Sequence, residues 1–62
     1  MKEKVDILQQ KIGLSLRQIE QKSNLGNGTL SQVLKTGKFK KTTERKVNEF
    51  YFKIIKDLVN GL

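Results

Sequence analysis

The chain contains no cysteine, no histidine, no proline and no tryptophan. Without cysteine there is no disulfide, no thiolate metal site and no cysteine nucleophile. Without histidine, and with only six Asp+Glu spread over 62 residues, neither an ordinary zinc site nor a histidine-based catalytic centre has side chains to build on. No metal, no cofactor and no enzymatic activity are expected, since so short a chain has little room for a substrate cleft. Long apolar runs are missing too, and nothing approaches the roughly 20 apolar residues of a membrane span. Residues 1–15 carry Lys2, Lys4, Asp6 and Lys11 and lack the apolar run of a signal sequence. A soluble, cytoplasmic chain is the expectation. With no repeat, linker or low-complexity stretch, residues 1–62 read as one domain.

What is abundant is positive charge. Thirteen Lys+Arg leave a formal net charge of +7, so a binding module with an anionic partner is the natural class. Apolar residues make up 35% of the chain, and a core must be assembled efficiently, because domains of this size bury only about 60% of their unfolded surface.

The five glycines punctuate a sequence that is otherwise compatible with helix, and β-branched alternation is nowhere sustained. From Lys2 to Ile12, Val5, Leu8 and Ile12 form one apolar stripe that Gly13 ends. Ser15 and Gln18 then form a capping box, flanked by Leu14 and Ile19 as a hydrophobic staple. A helix is predicted from about Leu16 to about Ser23. Asn24-Leu25-Gly26-Asn27-Gly28 is a turn that Leu25 anchors to the core. A third helix is predicted from about Asn27 to Lys35, with Leu30, Val33 and Leu34 inward. A last one runs from Thr43, as N-cap, to about Asn60. The predicted fold class is all-α, a compact four-helix domain with a central helix-turn-helix at about residues 16–35 and a long C-terminal helix.

Ile19, Leu25, Leu30 and Val33 have the spacing that locks two short helices across a tight turn, and Asn24 sits where positive φ is needed. The run SLRQIEQKSNLGNGTLSQVLKTGK, Ser15 to Lys38, resembles the core of the lambda-repressor-like, Cro/repressor type of helix-turn-helix DNA-binding domain. With the flanking helices the resemblance covers most of the chain. Three positions depart from the pattern. Asn24 replaces the usual Gly, Leu16 replaces a phosphate-contacting Gln that Arg17 is placed to substitute, and Glu20 replaces a small residue. The last departure implies a looser approach of the two helices.

The resemblance implies that the second helix of the motif enters the major groove with its N-terminal residues at the base edges. That selects Asn27, Gly28, Ser31 and Gln32 as base-contacting positions; Asn and Gln are the side chains that pair bidentately with adenine. Turn and cap chemistry for Asn27, and plain solvation for Gln32, are the alternatives. Thr29 suits a phosphate, a thymine methyl or the helix N-terminus. Lys35, Lys38, Lys40, Lys41, Arg45 and Lys46 stand against Glu44 alone, so residues 35–46 hold +5 of the +7. With Arg17 and Thr29 they are the candidate phosphate contacts. Phe39 reads as a core plug for this loop rather than as a base-stacking platform.

In the last helix, Val47, Phe50, Ile54 and Leu58 form a core stripe. Tyr51, Phe52, Ile55, Val59 and Leu62 mark a second apolar face, read as a homodimer or partner surface, with coverage of helix one as the alternative. A dimer would set two reading helices about 34–36 Å apart over a palindromic operator. The leading expectation is therefore sequence-specific binding of double-stranded DNA by a small transcriptional regulator of the phage or mobile-element kind, a repressor rather than an activator. The alternative is a protein-interaction module, an inhibitor or a recombination accessory factor, that docks a partner through the last helix. Non-specific nucleic-acid binding comes third, since the chain has no stacking array.

Overall fold

The computed structural model describes residues 1–61; the predicted interface residue Leu62 lies outside them. Among the described residues there are four helices and no strand: α1 (Lys2–Gln10), α2 (Leu16–Lys22), α3 (Thr29–Thr36) and α4 (Lys41–Asn60). The all-α architecture is the one expected, with shifted boundaries.

Helix α1 stops at Gln10, two residues short of the predicted end. The Ile12 and Leu14 amides donate back to the Ile7 and Leu8 carbonyls at 3.2 and 3.0 Å, which satisfies last-turn acceptors. The capping box of α2 forms as predicted: the Gln18 amide donates to Ser15 Oγ at 3.1 Å, and the Ser15 amide donates to Gln18 Oε1 at 2.9 Å. Its far end is a Schellman motif. Asn24 sits at φ 59°, with the Leu25 amide on the Glu20 carbonyl at 2.7 Å and the Asn24 amide on the Gln21 carbonyl at 3.2 Å. This turn brings Leu25 against the core.

Helix α3 starts at Thr29 and not at Asn27. Gly28 precedes it at φ 85°, a left-handed conformation that only glycine adopts freely, so the helix cannot be extended backward through it. Gly28 has no side chain to cap the helix, and the Glu20 carboxylate takes the place of one. Glu20 is 2% exposed, and its Oε2 accepts a hydrogen bond from the Leu30 amide at 2.8 Å. The expectation that Glu20 loosens the α2–α3 approach is therefore overturned: the carboxylate fastens the two helices together.

Helix α4 begins at Lys41, with Lys40 as N-cap. Thr43 is not the predicted cap but a buried residue of the first turn, and with Val47 and Phe50 it forms the inward stripe. Val5, Leu8, Ile19, Leu30, Val47 and Phe50 make the core, with Leu14, Leu25, Leu34, Tyr51 and Ile54 packed around it. The expected stripe fails at Leu58, which is 52% exposed. A 20-residue helix is about 30 Å long, whereas the nine residues of α1 cover about 13 Å. The last turns of α4 thus run past the other three helices, and the molecule as a whole measures 37 × 21 × 18 Å.

Candidate nucleic-acid interface

The α2–turn–α3 unit divides its residues cleanly. Leu30 and Val33 face the core, and Leu34 is half-buried against it. Ser31, Gln32 and Lys35 are exposed on the opposite side of α3, and Asn27 and Gly28 are exposed just before it. The four predicted base-contacting positions therefore gather at one open helix end. Thr29 is half-buried, because it faces the turn.

Of the predicted phosphate contacts, Arg17 is exposed in the first turn of α2, and Lys35, Lys38, Lys40, Lys41 and Arg45 are exposed along the end of α3, the loop and the first turns of α4. Lys46 is half-buried, and its Nζ donates to the Asn24 carbonyl at 3.2 Å, tying α4 to the α2–α3 turn. One of its three donors is thus committed. The α3–α4 loop is itself braced: Thr36 Oγ1 donates to the Gln32 carbonyl at 2.9 Å and accepts from the Lys38 amide at 3.2 Å.

Phe39 is not a core plug. It is 44% exposed, because the connection from Gly37 to Lys40 is short and Val33 and Thr43 already close the core behind it. It stands instead at the rim of an open groove of about 460 Å³ that also includes Leu25, Thr29, Gln32, Lys38, Lys40 and Lys46. This groove joins the turn, α3 and the loop into a single cationic surface, with Leu25, Val33 and Phe39 as its apolar elements. Arg17, Lys35, Lys41 and Arg45 lie outside it.

Two features of this surface escaped the sequence reading: the Glu20 cap and the exposed position of Phe39. A clue to the first was present, since a helix that opens on glycine needs an acceptor from elsewhere.

Further along the same side of α4, Lys22, Ser23, Lys46, Glu49, Lys53 and Asp57 line a second open groove, of about 630 Å³. Among the described residues no group of three or more His, Cys, Asp or Glu is placed to hold a metal ion. No described helix is long and apolar enough to cross a membrane. Comparison with known proteins finds no matching family model, no matching curated protein and no matching solved structure.

Proposed function

We propose that the chain binds double-stranded DNA sequence-specifically, with α2–turn–α3 as a helix-turn-helix and the N-terminal end of α3 as its reader. The observation that carries this is the exposure of Asn27, Ser31 and Gln32 at one helix end beside the cationic groove of Lys38, Lys40 and Lys46. Amide and hydroxyl side chains read base edges in the major groove, and lysines neutralise the phosphates that set register. The rigid coupling of α3 to α2 through Glu20 suits a reader that must present its side chains in one orientation. Acting by occupancy, such a domain blocks or guides another machine on the same DNA, as a small transcriptional repressor of the phage or mobile-element kind does.

Selection from random duplexes, followed by titration of the winner, tests the reading. A recurrent motif preferred at least about a thousandfold over random DNA is expected. Absence of enrichment, with all binding lost by about 200 mM salt, would assign the cationic surface to non-specific nucleic-acid binding instead.

A further inference from the structure

Among the described residues the exposed large apolar side chains are Phe39 in the α3–α4 connection and Phe52, Leu58 and Val59 on α4. Phe39 differs from the other three in its surroundings: it shares a groove with Thr29 and Gln32, and Lys38 and Lys40 stand on either side of it. We propose that the Phe39 ring is a second reading element, supplied by the connection rather than by α3, and that it recognises the 5-methyl group of a thymine in the major groove. The proposal rests on the DNA-binding reading.

The ring is held in a fixed relation to Gln32. Thr36 Oγ1 donates to the Gln32 carbonyl at 2.9 Å and accepts from the Lys38 amide at 3.2 Å. The Gly37 amide donates to the Val33 carbonyl at 2.7 Å, with Gly37 in the left-handed region at φ 74°. The backbone that leads into Phe39 is thus tied, through one hydroxyl, to the residue whose amide side chain is exposed on α3. Val33 and Thr43 are buried and line the same groove. They leave the phenyl group no room in the core, and it stays at the groove's mouth.

Chemistry selects the target. Within a duplex the base faces are stacked on one another, so a lone ring outside the stack meets edges and backbone rather than faces. The thymine methyl is the apolar group that base edges present in the major groove, and phenylalanine is among the side chains that contact it. An A·T pair carries that methyl on the same edge as the adenine N6 and N7 positions with which a glutamine amide pairs. Gln32 and Phe39 therefore suit A·T pairs jointly, the amide for adenine and the ring for thymine. Lys38 and Lys40 flank the ring with charges that suit phosphates, which fix position but carry no sequence information. A surface built for phosphates alone gains nothing from a phenyl ring between the two lysines.

Deoxyuridine tests the contact from the DNA side, because it lacks the methyl and keeps the hydrogen-bonding groups of thymine. The whole chain is titrated against the selected duplex and against duplexes in which each thymine in turn is deoxyuridine. At one position the substitution is expected to weaken binding about fourfold, the effect of withdrawing one buried methyl-sized group. Phe39→Ala should weaken binding to the thymine duplex by at least that factor and be indifferent to the same deoxyuridine. Its salt slope should match the parent's, since no charge is lost. Phe39→Leu keeps an apolar contact and should keep the sensitivity to the methyl. The ring is 44% exposed, so both variants are expected to fold, which circular dichroism checks; the deoxyuridine scan of the parent needs no variant.

A parent chain that tolerates deoxyuridine at every thymine would overturn the proposal and leave the DNA-binding reading standing. A methyl effect equally large in Phe39→Ala would also overturn it and assign the methyl to another side chain, Thr29 first. Weaker binding by Phe39→Ala with no dependence on any methyl would overturn it by placing the ring on the sugar–phosphate backbone. A parent chain that selects no motif at all would end both readings.

Discussion

The Glu20 carboxylate accepts a hydrogen bond from the Leu30 backbone amide at 2.8 Å, joining α2 to the first turn of α3 in a site that is 2% exposed at Glu20 and closed at Leu30. An N-terminal helix amide normally finds a side chain just upstream or water. Here Gly28 offers no side chain and the core excludes water, so Leu30 depends on a residue ten positions earlier. Glu20→Ala leaves the buried amide unpaired and is expected to cost about 1.5–3 kcal/mol, the range for a hydrogen bond to a charged group. Glu20→Gln keeps an acceptor and should cost less. Urea denaturation of the three proteins at one pH checks the order, and equal midpoints for Glu20→Ala and the parent would show that the bond contributes nothing.

Gly28 and Gly26 lie two residues apart and should respond differently to a methyl group. A Cβ on Gly28 meets nothing within 4 Å, yet the backbone stands at φ 85°. The cost of Gly28→Ala is therefore conformational, about 1–2 kcal/mol for an L-residue in the left-handed region. At Gly26 the nearest heavy atom to a built Cβ is Thr29 Oγ1 at 3.4 Å, an ordinary contact, and φ is not positive. Gly26→Ala should be neutral or slightly stabilising through its effect on the unfolded chain. Thermal melts of both variants decide it; a shift of about 4–8 °C per kcal/mol is large enough to read in a domain of this size.

If α3 reads DNA, Gln32 and Lys40 must fail in different ways. Gln32 is exposed and its side chain holds up nothing in the fold, so Gln32→Ala should leave stability unchanged. On the selected site it should cost about 1–3 kcal/mol of binding and relax one base position. Lys40→Ala should weaken all sequences alike and reduce the salt slope by about 0.9. Repeating the selection with each variant checks this. An unchanged motif for Gln32→Ala, or an altered one for Lys40→Ala, would exchange or abolish the assigned roles.

Features that local chemistry dictates could be read from the sequence in advance. The Ser15–Gln18 box and the left-handed Asn24 each depend on residues within a few positions, and both form. So do the core positions Val5, Leu8, Ile19, Leu30 and Val47, because periodicity reports which face turns inward. Features set by distant partners could not be read. Glu20 resembles a misplaced charge until Leu30 is brought beside it, and Thr43 resembles a cap until the loop before it proves helical at Lys41. Phe39 is apolar enough for a core that Val33 and Thr43 have already closed. The exposure of Asn27, Ser31 and Gln32 was legible from the pattern of α3, whereas the joining of Thr29, Gln32, Lys38 and Lys40 around one groove needed the fold.

Leu58 and Phe50 share a periodicity and should differ sharply in energetic weight. Both continue the Val47 stripe at helical spacing, but Phe50 is 9% exposed and Leu58 is 52% exposed. Truncating a buried phenylalanine costs about 3–5 kcal/mol. That approaches the whole stability of a domain this small, for which a single core rarely supplies more than about 3–5 kcal/mol. Phe50→Ala should therefore be largely unfolded at room temperature by circular dichroism. Leu58→Ala removes a side chain that has little to pack on, and its cost to the monomer should stay within about 0.5 kcal/mol, the usual range for surface substitutions. The comparison is made at low protein concentration, where self-association contributes nothing. A Leu58→Ala variant destabilised as severely as Phe50→Ala would mean that the end of α4 is held against the domain rather than projecting from it, and the apolar face would then be part of the monomer core.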